Sequence, residues 1–377
     1  MSTAPVPPTE RQQQELLAAA RAHDERAYQA LVEPHRAQLH AHCYRMLGSV
    51  HDAEDALQDA LVRAWRGLPR FEGRSDLLPW LYRIATNTCL DLINRRPKRM
   101  LAFDHGSATD GHVAPGEPLV ESVWVEPYPD REIGLADGFA APEARYEQRE
   151  SVELAFIAAV QHLPARQRAV LILREVLGYS ALEVAGMLDT TTASVNSALQ
   201  RARKTVDERL TEPSQQANLH ALGDDAVRDI VDRYVDAWER TDVQAVVSML
   251  TEDARFAMPP LRTWYEGHDG IGTWLAGWPL SGAWRWRHRT TQANGQPAIG
   301  AYCWDEAVGC YLPFSLEVVT LRGGLIKDVT AFVTRSTNVR EGETIAETWP
   351  EQPAEPERTA AAFDRFGLPD HLDRADA

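Results

Sequence analysis

The sequence has little that would place it in a membrane or outside a cell. No apolar run approaches the roughly 20 residues that a membrane-spanning helix needs. The opening MSTAPVPPTERQQQ has neither a basic leader nor an apolar stretch of the signal-peptide kind. Cysteine is scarce. Cys43, Cys89, Cys303 and Cys310 form no disulfide framework and no C-x-x-C metal spacing, although Cys303 and Cys310 are near enough in sequence to pair. Metal-ligand spacing and a glycine-rich phosphate loop are also missing. These absences argue against a disulfide-stapled secreted domain and a zinc module. They predict a cytoplasmic protein with no cofactor, no metal and no membrane partner.

Basic residues are in the minority, 39 Lys and Arg against 55 Asp and Glu, for a net charge of −16. That sum argues against a nucleic-acid binder until its distribution is read. Residues 211–377 hold 26 acids and 15 bases, so most of the excess lies in the C-terminal half. Over 62–100 the balance reverses, with nine Lys and Arg against three Asp and Glu. Local charge, and not the global sum, attracts phosphate. A charge run alone is equally well explained as a solvated face, so the motifs must decide.

At 377 residues the chain has room for two or three cores. Residues 1–23 read as a flexible start, Pro-rich at first, and helical pattern extends to 100. The pattern then collapses into Gly, Pro, Asp and Ala over 101–143, a linker that carries an apolar island, SVWVEPYPD, around Trp124. Helical pattern returns over 144–210, and 211–222 reads as a second, short linker. A third domain, 223–377, opens with a helix whose apolar face is Val227, Ile230, Val231, Tyr234, Val235 and Trp238. A short helix over 242–250 follows. Strand candidates are ARFAM, PAIGAYCW, LPFSLEVVTL and GLIKDVTAFV, the last two joined by Arg322-Gly323-Gly324.

Within HDAEDALQDALVRAW, Ala53, Ala56, Leu57, Ala60, Leu61, Ala64 and Trp65 make one helical stripe. Asp52, Glu54, Asp55, Gln58 and Asp59 lie mostly off it, and the early acids suit the positive end of the helix dipole. In FEGRSDLLPWLYRIATNTCLDLINRRPKR, Pro79 suits a first helical turn. Trp80, Leu81, Ile84, Leu90 and Ile93 supply a core side, and Arg83, Asn87, Asn94, Arg95 and Arg96 face elsewhere. Cations and amides of this kind suit a nucleic-acid strand, the first its backbone and the second its bases. Trp80 is read as core before it is read as a base-stacking ring. The segment 69–76, which carries Arg74, is the better place to hold a flipped base.

The first of these segments resembles region 2.2 of bacterial sigma factors, and the second resembles regions 2.3 and 2.4. The resemblance implies that Asp55, Leu57, Gln58 and Asp59 meet the β′ clamp helices of RNA polymerase core, with the β subunit as a further partner. It implies that Arg74, Arg83, Asn87, Asn94, Arg95 and Arg96 melt and read the promoter −10 element.

In LPARQRAVLILREVLGYSALEVAGMLDTTTASVNSALQRARK, Ser180 and Glu183 have capping-box spacing, which predicts a helix from 181 to about 188. Asp189 to Thr192 make a turn, and Thr191 or Thr192 caps the next helix. That helix turns Val195, Leu199, Ala202 and Val206 inward. Thr192, Ser194, Asn196, Ser197, Gln200, Arg201 and Lys204 are left to meet DNA in the manner of a recognition helix. The alternative is a plain helical hairpin. The L-P-x-R-Q-R-x-V start and R-A-R end resemble sigma region 4, which reads the −35 element. The family often has basic residues where this chain has Asn196 and Ala198.

WERTDVQAVVSMLTEDARFAMPPLRTWYEGHDGI and NGQPA resemble the SnoaL-like family of cone-shaped α+β folds with an internal pocket. The whole layout is similar to extracytoplasmic-function sigma factors of the sigma-G type. The fold expected is therefore multidomain: all-α regions 2 and 4, the latter a helix-turn-helix, followed by an α+β SnoaL-like cone. Eight of the eleven tryptophans follow residue 223, and Trp264, Tyr265, His268 and His288 are the pocket candidates, with Asp253 and Asp305 nearby in type. A small ligand there is one expectation and enzymatic activity another, with no catalytic residue assigned. A third is that 223–377 docks on the sigma domains, with Phe363, Phe366 and Leu368 seated in a groove. The competing reading of the whole is a helix-turn-helix regulator with a ligand-sensing or SnoaL-type enzymatic domain. Such a protein needs neither the acidic helix nor the Trp80–Arg96 segment.

Overall fold

The computed structural model of the chain describes residues 10–71, 76–116, 118–119, 123–133, 149–210, 214–335 and 356–374. They form two compact units, one of Met1–Lys98 and Ala159–Arg209, the other of Arg99–Ala158 and Leu210–Ala377.

The first unit is helical. It begins with α1 (Glu10–Arg21), α2 (Glu25–Val32), α3 (Arg36–Leu47), α4 (Val50–Gly67) and α5 (Leu77–Ile93). Local chemistry sets the ends. Asp24 caps α2, and Gly48, at φ 69°, ends α3 in the left-handed region where glycine is favoured. Ser49 then caps α4 by accepting from Asp52 N at 3.1 Å. The stripe Ala53, Ala56, Leu57, Ala60, Leu61 and Ala64 is buried as its spacing predicts. Its alanines let α3 and α5 approach closely. Trp65 leans on Tyr28 with ring centroids 4.9 Å apart.

The chain re-enters this unit through α6 (Leu154–Gln161) and α7 (Ala165–Leu171), which runs into a π turn over Ile172–Val176. Next come α8 (Ala181–Met187) and α9 (Thr192–Asp207). Ser180 and Glu183 form the capping box foreseen: Ser180 N donates to Glu183 Oε2 at 2.7 Å and Glu183 N to Ser180 Oγ at 3.3 Å. Asp189 turns the chain at φ 48°, and Thr191 caps α9. Val195, Leu199, Ala202 and Val206 are buried. Arg168 is buried too, donating to Met46 O, Gln161 Oε1 and Gln161 O.

The second unit contains α10 (Gln215–Leu222), α11 (Asp224–Glu239), α12 (Val243–Ser248), β1 (Leu250–Ala257), β2 (Trp264–Glu266), α13 (Gly267–Gly277), β3 (Trp286–Ala293), β4 (Gln296–Asp305), β5 (Cys310–Arg322), β6 (Leu325–Val333) and α14 (Pro356–Asp364). The sheet order is β2-β1-β6-β5-β4-β3, antiparallel except for the parallel β1–β6 pair. β5 and β6 pair to Arg322↔Leu325 across the foreseen Gly323-Gly324 break. The helices α11, α12 and α13 and the concave face of the sheet share one core containing Trp238, Trp274, Trp284, Trp286 and Phe314. Residues 215–222, read from sequence as linker, form a helix because Ser214 caps it and Leu219 is buried in that core. All four cysteines are free and buried, so Cys303 and Cys310 do not pair.

Two further segments complete this unit. The described part of the interdomain linker lies on the cone. Trp124 donates from Nε1 to Pro260 O at 3.1 Å, and Val123 and Trp124 cluster with Ala102, Ala257 and Trp264. Thr109 N donates to Trp264 O at 2.8 Å and Leu119 N to Pro260 O at 3.0 Å. The tail after α14 lies on the convex face of the sheet. Phe363 meets Tyr302 with ring centroids 5.1 Å apart, and Leu372 bridges to Tyr311. Gly300 makes room for this, since a Cβ there would come within 2.6 Å of Leu368 and 2.9 Å of Phe363. Phe363 and Leu368 therefore seat on their own domain's sheet, a correction to the expected groove on the sigma domains.

Candidate polymerase and nucleic-acid interfaces

On α4, Asp55, Gln58 and Asp59 are exposed and share a face away from the buried stripe. Glu54 accepts from Gln58 Nε2 at 3.1 Å. Leu57, which the resemblance grouped with them, is 1% exposed and belongs to the core. This corrects its placement: a helix cannot turn Leu57 outward while burying Ala53, Ala56 and Ala60.

α5 presents Arg83 on its surface and Asn87 half-buried, and Asn94, Arg95 and Arg96 follow on exposed chain at its end. Arg74 lies outside the described residues. Two of these cations already have acidic partners. Arg83 donates to both carboxylate oxygens of Asp189, at 3.0 and 3.1 Å. Arg96 pairs with Asp52 and lies 3.7 Å from Asp55. A cation expected at DNA is thereby joined to the acidic helix expected at polymerase. Trp80 packs at a tilt on Phe71, ring centroids 4.8 Å apart, and abuts Gly67, the core role preferred from sequence. Tyr82 is also buried, 5.2 Å from the His42 ring, which removes it from base stacking.

In the helix-turn-helix, Thr192, Ser194, Asn196, Ser197, Gln200, Arg201 and Lys204 are all exposed. The capped start of α9 leaves backbone N–H groups and short polar side chains at one end, the arrangement that reads base edges and phosphates. Arg174, Asn196, Gln200, Arg203 and Lys204 line an open groove of about 690 Å³. Arg174 and Arg203 were not singled out from sequence. Arg203 is held by Glu175, with its Nε 2.7 Å from Oε1, a pairing across two helices that helical periodicity cannot reveal. The spare basic residues of the R-A-R segment were the available signal.

The candidate pocket in the cone does not assemble. Trp264 packs under the linker beside Phe103. Tyr265 stacks on Trp274 at 4.9 Å and donates to Val113 O at 2.9 Å. His268 Nε2 is 3.1 Å from Leu250 O. His288 is buried near Glu239, 3.5 Å away, and burial lowers its pKa. Asp253 pairs with Arg322 and Lys327, and Asp305 with Arg335 at 3.3 Å. Side chains facing different directions cannot converge on one substrate atom. A pocket of about 260 Å³ opens between α11 and β3 beside Arg228, Asp232, Thr290 and Gln292, and a smaller cavity among Trp238, Trp274, Trp278, Trp286, Phe314 and Glu317 measures about 20 Å³, room for about one water. Its acid, Glu317, was not foreseen. Burial pushes its carboxyl up to about 8, and Tyr234 Oη is 3.4 Å from it. Among the described residues, no group of three or more His, Cys, Asp and Glu is placed to hold a metal, and no helix is long and apolar enough to cross a membrane.

A helical unit with an acidic helix, a basic helix end and an exposed helix-turn-helix, followed by an α+β cone, defines a modular promoter-binding protein. Comparison with known proteins agrees. The family description Sigma-70 region 2 matches residues 31–99, Sigma-70 region 4 matches 153–206, and the SnoaL-like domain matches 231–329. The chain is 39% identical to the ECF RNA polymerase sigma factor SigG of Mycobacterium tuberculosis, over 92% of this chain and 85% of that protein. It is 29% identical to the ECF sigma factor SigW of Bacillus subtilis over 50% of this chain and 90% of that one. A solved structure of M. tuberculosis SigJ covers 79% of this chain and 93% of its own, at 21% identity and a TM-score of 0.49. The chain belongs to the extracytoplasmic-function sigma factors that carry a C-terminal SnoaL-like domain. It is a promoter-directing subunit for transcription initiation.

Proposed function

We propose that the chain joins RNA polymerase core through the exposed face Asp55, Gln58 and Asp59. It reads the −10 element with Arg83, Asn87, Asn94, Arg95 and Arg96, and the −35 element with Thr192, Ser194, Asn196, Ser197, Gln200, Arg201 and Lys204. The observation that carries this reading is α9: all seven of its named residues are exposed on one capped helix, while Val195, Leu199, Ala202 and Val206 hold it to its own unit. The cone catalyses nothing and tunes the sigma regions through the linker, which its surface covers at Trp124, Pro118 and Pro129. The divergent polar groups of the expected pocket support that reading over an enzyme or a ligand sensor. Run-off transcription with purified core polymerase tests it. A promoter-specific transcript that depends on the added chain is expected, and its absence on every genomic template sinks the proposal.

A further inference from the structure

The hairpin turn between β3 and β4 has an unusual set of partners. Ala293 pairs with Gln296 across Asn294 and Gly295, at φ 57° and 67°, the geometry of a two-residue type I′ turn. Such a turn needs only its own ladder. Here all three residues from Asn294 to Gln296 bind chain outside the matched SnoaL-like segment. Asn294 Oδ1 accepts from Tyr128 N at 2.8 Å, Asn294 N donates to Tyr128 O at 2.9 Å, and Asn294 Nδ2 donates to Val152 O at 2.7 Å. Gly295 N donates to Asp130 Oδ1 at 2.8 Å. Gln296 Oε1 accepts from Leu154 N at 3.1 Å.

Tyr128 and Asp130 lie on one side of residues 134–148, and Val152 and Leu154 lie on the other. One turn thus holds two points of the connection between region 2 and region 4, one near its middle and one at its region 4 end. The groups are buried: Tyr128, Asn294 and Val152 are each 0% exposed. The second point is held again by α10, where Glu153 accepts from Gln215 N and Gln216 N at 3.2 and 2.7 Å. Gly295 is required by space as well as by φ, since a Cβ there would come within 3.2 Å of Arg149 Cβ and Gln216 Nε2.

We infer that Asn294-Gly295-Gln296 is a clasp that sets the reach of region 4 relative to region 2. The inference rests on the reading that the cone tunes the sigma regions through the linker. Freely extended, the 60 residues of Arg99–Ala158 span at most about 200 Å. Clasped, Tyr128–Asp130 and Val152–Leu154 are fixed to one turn, the chain between them adds nothing to the reach, and the −10 and −35 readers work at a restricted separation. Opening the clasp lengthens the tether and widens the range of promoter spacers the protein accepts.

Asn294→Gly in the full chain is the test. It keeps a turn that tolerates positive φ and deletes only the side-chain bonds to Tyr128 and Val152. Asn294→Asp keeps the acceptor for Tyr128 N and loses the donor to Val152. Hydrogen exchange read by mass spectrometry is expected to rise at least tenfold at both 123–133 and 149–158 in the glycine variant. It rises mainly at 149–158 in the aspartate variant, and β5 and β6 keep wild-type rates in both. Run-off transcription by holoenzyme on templates differing only in spacer length is the second reading. The transcript ratio between a spacer two base pairs too long and the optimal one rises at least threefold for Asn294→Gly. Wild-type exchange at both segments overturns the clasp. Opened segments with an unchanged spacer profile overturn the control of reach, and with it the tuning reading, while the sigma activity itself stands.

Discussion

Arg168 offers the sharpest test of how the first unit is held together. Its guanidinium, 3% exposed, donates to Met46 O, to Gln161 Oε1, to Gln161 O at 2.9 Å and to Leu163 O at 3.4 Å. Burial lowers its pKa to about 10, so it stays charged at neutral pH. Its bonds tie α7 to the end of α3 and to the α6–α7 turn. Arg168→Met keeps the length and removes every donor. Each buried acceptor left unsatisfied loses roughly 1–3 kcal/mol. Bonds that share one guanidinium do not add fully, so the expected loss is about 4 kcal/mol. For a unit of this size each kcal/mol moves the midpoint by about 2–4 °C, which gives a fall of about 8–16 °C. Arg168→Lys restores a charge but not the fork, and falls between. The helical transition is followed by far-UV circular dichroism. Tryptophan fluorescence, dominated by the eight tryptophans after residue 223, reports the second unit as an internal control. A midpoint for Arg168→Met within 2 °C of wild type would refute the reasoning.

Three further outcomes are expected. Asn196→Ala and Arg201→Ala each weaken discrimination within the −35 element by about 1–3 kcal/mol, measured with holoenzyme on a promoter mutation series; an unchanged series means that α9 does not read bases. Asp55→Lys with Asp59→Lys lowers recovery with core polymerase at an unchanged far-UV spectrum, whereas Leu57→Lys lowers the midpoint of the helical unit. Burial pushes Asp130 and Glu153 up to about 7, against Arg149 and the N–H groups of Gly295, Gln215 and Gln216, which favour their charge, while Glu150 adds to the rise at Glu153. Both carboxyls keep a proton when folded that they lose near pH 4 when unfolded. Their stabilisation is therefore complete below about pH 4 and fades as pH rises towards 7. The fluorescence midpoint of the second unit falls between pH 5 and 7.5, and Asp130→Asn with Glu153→Gln flattens that slope.

Local rules made much of the fold legible. The capping box at Ser180 and Glu183, the apolar stripe of α4 and the Gly323-Gly324 break each specify structure within a few residues, and each is where it was expected. β2, β3 and α13 were not assigned. β3 reads WRHRTTQA, whose arginines and threonines obscure alternation because its inward side, Trp286 and His288, is buried against α11 and the rest faces other partners. The roles of single polar residues were least legible. Asn294 reads as a turn residue in any sequence; that its side chain binds Tyr128 and Val152 depends on contacts more than a hundred positions away. Arg168 belonged to a recognisable motif, but a motif does not say whether an arginine faces DNA or its own core.

The interior of the cone is packed with aromatic rings. Its concave side is filled by rings in contact: Trp274 lies 4.7 Å from Phe256, Trp284 stacks on Trp286 at 5.7 Å, and Phe314 closes on Trp286 at 5.1 Å. Among these rings a cavity of about 20 Å³ remains beside Glu317. A charged acid in such surroundings would be strongly disfavoured, and burial answers this by keeping the carboxyl protonated up to about 8. Keeping that proton at neutral pH costs the cone stability, since the same acid is ionised when unfolded. The convex face is equally committed, since Phe363 and Leu368 cover Gly300. Among the described residues, the β3–β4 turn, Pro260 O, Trp264 O and Tyr265 Oη reach beyond the cone's own ladder. All of them are directed to the segment joining the two sigma regions. The tuning of the sigma regions proposed for the cone therefore travels through these contacts.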